Sequence, residues 1–324
     1  MSLFSNYSEI VKNTFQPKSA KTNLWLGISI ALLAAIFAST INIVGKTLVD
    51  PSYGYVEDAV HPLNLAIFLG LISGLFFTPF AKGKKIPTKF GRKPLILVLM
   101  LGVTDVLAIT TNFFGLHHTT AVNATILINT ELLFTAIIAF TIFHERIEKK
   151  ETFPLGLITV GAIVLPLIID IFENETFVSG FVLGDFMIIL AAVFFALDIS
   201  IARYVSNIVS TTRISQISAF AGIPFALVLM LIFQIPFEVP LEHIPSIIYM
   251  GIFVSGLSYF FFVIALKLIG AIRTILIYST TTVFGILFSG IFLGEEITEL
   301  NVISVAIISA GVYLLRKKFA KLES

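Results

Sequence analysis

The sequence predicts an all-α membrane protein: ten transmembrane helices as two inverted five-helix repeats, with N- and C-termini cytoplasmic. Three observations predict it. Of 324 residues, 57% are hydrophobic and only 13% charged, about half the charge of a soluble globular chain. The apolar residues fall in stretches of roughly 20, the length that crosses a bilayer. The second half of the chain also repeats the first. Other classes are excluded at the same stage. With 21 basic against 20 acidic residues, the chain lacks the positive surface that nucleic acid requires. With no Cys, it forms no disulfide, thiolate metal site, iron–sulfur cluster or Cys nucleophile.

Ten stretches meet the length criterion: residues 24–49, 63–81, 95–115, 122–143, 152–172, 181–205, 214–235, 246–266, 272–293 and 300–316. The first is too long for a signal-peptide core and follows a polar segment, 1–23, so it is expected to stay attached as a span. In that segment Leu3, Tyr7, Ile10 and Val11 recur at helical spacing, which suits either a short interfacial helix or a frayed tail. Basic residues set the orientation. With the N-terminus inside, every Lys and Arg except Lys46 falls in the inner connections, in the two tails (the second being 317–324) or at the inner ends of the spans beside them. The outer loops are acidic instead, with Asp50, Glu57, Asp58, Glu238, Glu242 and Glu295 among them. An odd number of spans would put one basic tail outside. The expected location is the plasma membrane, multi-pass, with the lipid bilayer as the surrounding partner.

Repetition accounts for the arrangement of the spans. At an offset of 157, Leu26, Gly27, Leu33, Ala34, Ala35 and Phe37 match Leu183, Gly184, Leu190, Ala191, Ala192 and Phe194, and Lys46 falls on Arg203. At an offset of 150, Ala121, Thr130, Phe134, Glu145, Ile147 and Gly161 match Ala271, Thr280, Phe284, Glu295, Ile297 and Gly311. The halves are 24–172 and 180–316, with five spans each. Five is odd, so equivalent helices cross in opposite directions. Inverted repeats of this kind are a transporter architecture, with the substrate site near the midplane between the halves.

These residues resemble a known family. The block Gly-x5-Leu-Ala-Ala-[Ile/Val]-Phe that opens each half, closed by Lys46 or Arg203, is similar to the EamA-type repeat of the drug/metabolite transporter superfamily. So are the runs Ala121 to Glu145 and Ala271 to Glu295, although the first ends His144-Glu145 and the second Gly294-Glu295. The resemblance covers roughly 24–316. It implies a ten-helix secondary transporter, often an exporter of amino acids, other metabolites or drugs.

Polar residues inside the spans mark the candidate site, because a charge at the centre of a membrane helix costs at least about 2.5–3.5 kcal/mol. Asp105 lies midway along the third span and Glu131 midway along the fourth; their equivalents at offset 150 are Ser255 and Thr281. Asn112 is two turns from Asp105 on the same face, and Thr130 adjoins Glu131. Ser255 with Tyr259, and Tyr278 with Thr282, each share a face. In the first span Ser39, Asn42 and Lys46 form a narrow polar stripe. Lys46 is expected at the outer mouth, Arg203 and Arg273 at the inner one, as gates or as side chains snorkelling to headgroups. Asp198 is expected to pair with Arg203, and Asp185 to be interfacial. Gly70-x-x-x-Gly74 is either a dimer face or close packing inside the bundle, and the assembly is a monomer or a homodimer. Asp105 and Glu131 sharing one low-dielectric cavity cannot easily both be ionised, so one proton is exchangeable for the positive group of a small cationic or zwitterionic substrate. The alternative is a channel or carrier in which the two carboxylates hold a divalent cation through oxygens. Enzyme motifs are missing: there is no His-Glu-x-x-His or Gly-x-Ser-x-Gly, and Asp185 and Asp198 sit about 20 Å apart along one helix, too far for a dyad. No cofactor and no resident metal is expected.

Overall fold

The computed structural model describes residues 22–53, 58–81, 92–142, 149–164, 181–206 and 209–322. All their regular structure is helical. The first half contains α1 (Thr22–Val49), α2 (Pro62–Ala81), α3 (Arg92–His118), α4 (Ala121–Leu127), α5 (Thr130–Thr141) and α6 (Lys149–Thr159), the last running on as a π-helical turn, Val160–Val164. The second half contains α7 (Phe181–Val205), α8 (Thr211–Phe233), α9 (Ile244–Tyr249), a π-helical stretch Met250–Leu257, α10 (Ser258–Tyr278), α11 (Thr281–Phe288) with a π turn Ser289–Leu293, and α12 (Glu299–Leu322). Among the described residues, seven helices are long and apolar enough to cross a membrane, and three shorter apolar ones, Thr152–Ile163, Thr281–Leu293 and Glu299–Leu314, stand where the fifth, ninth and tenth spans were expected. The interfacial helix proposed before residue 22, Glu145, Pro166 and the loop residue Glu57 lie outside the described residues.

Local chemistry explains the breaks between these rods. The fourth span is two helices because Ile128 and Asn129 turn between α4 and α5. The ninth breaks the same way at Ser279 and Thr280, within one residue of the repeat offset. Gly270 bends the chain ahead of it, with φ 82° and ψ 161°, a region open essentially to glycine alone. The start of α4 is capped twice: Thr120 Oγ1 accepts from the Asn123 amide at 3.0 Å, and the Glu295 carboxylate accepts from the Ala121 and Val122 amides at 2.7 and 2.8 Å. Three orphan N–H groups of that helix end are thereby satisfied. Glu295 thus bonds a helix end.

Packing follows the repeat. The most extensive helix contacts are α3 with α7 and α1 with α10, which are the same pair in the two halves. A Cβ added to Gly184 would meet the His118 carbonyl carbon at 2.7 Å, and one on Gly27 would meet Leu268 and Ile269. The offsets carry Gly27 onto Gly184 and His118 onto Leu268. Likewise Gly161 abuts Ile308 and the Ser304 carbonyl, while Gly311 abuts Ile158 and the Pro154 carbonyl. Every partner shifts by 150. Gly70 packs on the Ala219 carbonyl and Gly74 on the Phe220 ring, so this pair of glycines serves α2–α8 packing within the bundle.

Candidate transport site

Three carboxylates on three helices lie within electrostatic range of one another through Asp198. Asp105 lies on α3, Glu131 in the first turn of α5 and Asp198 on α7, all half-buried. Asp198 accepts from Thr104 Oγ1 at 3.0 Å and stands within electrostatic range of both Asp105 and Glu131. This corrects the expected pairing of Asp198 with Arg203. Positions five apart lie about 140° apart around a helix, so Asp198 turns to α3 while Arg203 sits at the exposed end of α7. Two tyrosines flank the cluster. Tyr259 lies beside Ser215 and within electrostatic range of Asp198; its ring stands edge-on to Phe77 at 5.7 Å. Tyr278 lies beside Ser258 and within electrostatic range of Glu131, and Ser258 Oγ donates to the Ala34 carbonyl at 2.9 Å. Ser255 lies half-buried in the π-helical stretch, and Thr281 opens α11 with its hydroxyl donating to the Tyr278 carbonyl.

The amides play another part. Asn42 Nδ2 donates to Thr125 Oγ1 at 3.1 Å, and Asn112 Nδ2 to Asn42 Oδ1 at 3.5 Å. Both are buried and knit α1, α3 and α4 together. Thr282 Oγ1 donates to Asn129 Oδ1 at 3.2 Å, tying one helix break to the other. Thr130 is fully buried and its hydroxyl has no partner.

The Lys46 end of α1 is tied to the connection after α3. Lys46 is 3% exposed, and its ammonium donates to the carbonyls of Leu116 and Thr119, each at 2.8 Å, and pairs with Asp50 at 2.9 Å. All three ammonium donors are used. Burial alone would raise the Asp50 carboxyl, but hydrogen bonds from Ser52 and Lys46 outweigh it and hold the group below its ordinary value. Asp185, near the start of α7, is 1% exposed and accepts from Thr119 Oγ1 in the connection after α3. The α3–α7 contact carries it inside. Arg203 and Arg273, expected at the inner mouth, are both exposed. Among the described residues, no three His, Asp or Glu come together closely enough to hold a metal ion.

The sequence pattern of the EamA-like transporter family matches residues 25–166 and 182–317, one copy in each half. The chain belongs to the EamA-like transporter family. As an EamA-family chain it is similar to an uncharacterized transporter of Methanothermobacter thermautotrophicus, 29% identical over 306 residues, which cover 90% of this chain and 86% of that one. The uncharacterized transporter YetK of Bacillus subtilis is 24% identical over 297 residues, 90% of this chain and 87% of its own. A crystal structure of a protein 16% identical in sequence superposes with a TM-score of 0.63 over 93% of this chain and 99% of that one, which shows a shared fold. The chain is a multi-pass membrane transporter of this family.

Proposed function

We propose that this EamA-family transporter is a proton-coupled exporter of small cationic or zwitterionic metabolites, such as amines, amino acids or drugs, working by alternating access. It crosses the plasma membrane ten times with both termini in the cytoplasm. The observation that carries the proposal is that Asp105 and Glu131 both lie within electrostatic range of Asp198. No Lys or Arg occurs from residue 94 to 145 or from 181 to 202, so their own helices supply no cation at that depth. An anionic substrate would meet strong repulsion at low dielectric; an ammonium group meets compensation. A proton held by the cluster and the positive group of the substrate compete for the same carboxylates, and that competition is the coupling. Tyr259, Tyr278, Ser255 and Thr281 offer neutral hydrogen bonds to the remaining polar atoms of the substrate. With Lys46 buried and Arg203 exposed, the structure fits the inward-facing state of such a cycle.

Proteoliposome flux of a panel of amines and amino acids under an imposed pH gradient tests this. Wild-type flux is expected to saturate and follow the gradient. Glu131→Gln and Asp198→Asn should each lower gradient-driven flux at least tenfold, with counter-exchange partly surviving in Glu131→Gln. Full gradient-driven flux in Asp105→Asn, Glu131→Gln and Asp198→Asn together would reduce the carboxylates to helix–helix contacts and overturn the proposal.

A further inference from the structure

Away from the carboxylates, a cleft of about 690 Å3 opens between α3 and α8. Its walls are the apolar side chains of Leu95, Val98, Ile217 and Phe220, and one end is closed by Arg213 and Gln216. Residues 213, 217, 220, 224, 228 and 231 recur at three- and four-residue spacing, one face of α8. Pro224, Val228 and Leu231 on that face are exposed, as is Leu95 across the cleft. An exposed apolar stripe on a membrane helix faces lipid, so the cleft opens sideways into the bilayer rather than into the transport path.

Its polar end is built for an anion. Arg213 Nη1 donates to Gln216 Oε1 at 2.7 Å, and Gln216 Nε2 donates to Thr78 Oγ1 at 2.9 Å. The guanidinium is thereby oriented, yet its Nε is shielded from solvent with no partner. Ser210, one turn earlier on the same face at the N-cap of α8, also has a shielded hydroxyl without a partner. Unmet buried donors are costly, and an oxyanion seated here by a small side-chain rotation would satisfy both. The first turn of α8 adds its own amide dipoles. Among the described residues, no carboxylate pairs with Arg213. The repeat does not require this arginine either: the equivalent position at offset 150 is Leu63.

The geometry points to a site for one anionic phospholipid, its phosphate on Arg213 and Ser210 and an acyl chain along Leu95, Val98, Ile217 and Phe220. From residue 213 to 221 the helix rises about 12 Å, close to the half-thickness of a hydrocarbon core of about 30 Å. A headgroup at Arg213 therefore places the start of its chain inside the cleft. The polar end lies where α8 emerges beside Arg203, on the face that carries the basic connections, and pockets of this kind suit anionic headgroups of the cytoplasmic leaflet.

Native mass spectrometry of the delipidated full-length protein, titrated with dioleoylphosphatidylglycerol or dioleoylphosphatidylcholine, tests the site without any flux measurement. The first bound phosphatidylglycerol is expected to bind at least tenfold more tightly than phosphatidylcholine. Arg213→Gln should erase that preference, and millimolar inorganic phosphate should not compete. Val98→Trp keeps the guanidinium but fills the apolar wall, and should weaken phosphatidylglycerol binding at least fivefold; this variant decides the matter if Arg213→Gln does not fold. Equal affinity for the two lipids, an unchanged preference in Arg213→Gln or unchanged binding in Val98→Trp would each overturn the proposal. Displacement by phosphate alone would mark a free-anion site, and displacement of lipid by a second copy of the chain would mark a dimer face; either result overturns it.

Discussion

Asp198 accepts its hydrogen bond across the α3–α7 contact, and Lys46 spends its three donors on two carbonyls and Asp50. These two side chains show how a charge survives in an apolar bundle: each is bonded to a neighbouring helix or loop and not left to lipid. The Lys46–Asp50 pair also sets a pH dependence for closure at this end of α1, the closure the proposed cycle assigns to it. Because the folded Asp50 carboxyl titrates below its ordinary value, its contribution is fully present above that ordinary value of about 4 and is lost as pH falls through the lowered one. Ser39, two turns deeper on the same face of α1, is buried and reports on closure when replaced by Cys in this Cys-free chain. Labelling of Ser39→Cys by an impermeant maleimide should stay low and flat from pH 8 to 5. A rise centred between pH 5 and 7 would assign closure to another group. Adding Lys46→Ala should raise labelling several-fold at pH 7, and adding Arg203→Ala should not.

At the scale of elements, α3 is wedged between α7 and α8, with glycines at the closest approaches. A Cβ on Gly102 would come within 2.5 Å of the Gly222 amide nitrogen, whereas one on Gly270 would meet nothing within 4 Å. The two glycines are needed for opposite reasons. Gly102 lies in a regular helix and lacks room; Gly270 has room but holds a left-handed φ of 82°. Gly102→Val should cost about 1–3 kcal/mol through overpacking and separate α3 from α8. Gly270→Ala should cost about 1–3 kcal/mol through backbone strain alone. Thermal unfolding in detergent measures both. The clash at Gly102 is with the backbone of Ala221 and Gly222, so truncating the Ala221 side chain should not relieve Gly102→Val. Loss of stability in neither variant would contradict the packing.

The whole molecule is two copies of one unit, and their expected opposite senses are testable because the chain has no Cys. Ser52 and Ser206 are both exposed, beyond the last turn of α1 and at the end of α7. In intact cells, Ser52→Cys should label with an impermeant maleimide, and Ser206→Cys only after permeabilisation. The same labelling pattern at both positions would refute the inverted arrangement.

Composition, span length and basic-residue asymmetry made the membrane class, the repeat and the positions of the helices legible in the linear sequence, because hydrophobic length and charge are properties of single segments. Asp105 and Glu131 were legible for the same reason, each a lone carboxylate in an apolar run. Asp198 was equally alone, but Arg203 five residues away offered a neighbour in sequence that helical geometry turns aside. The signal that finds it is the antiparallel register of α3 on α7. The contact of Gly184 with His118 fixes that register, and stepping along it brings Thr104 to Asp198. Asp185 followed the same rule, drawn inside by Thr119. The sequence by itself therefore determined which residues cross and which charges need partners. Only the tertiary structure decided who those partners are, because register and rotation between helices are set by side-chain packing over many residues at once and leave no mark at the position of any one of them.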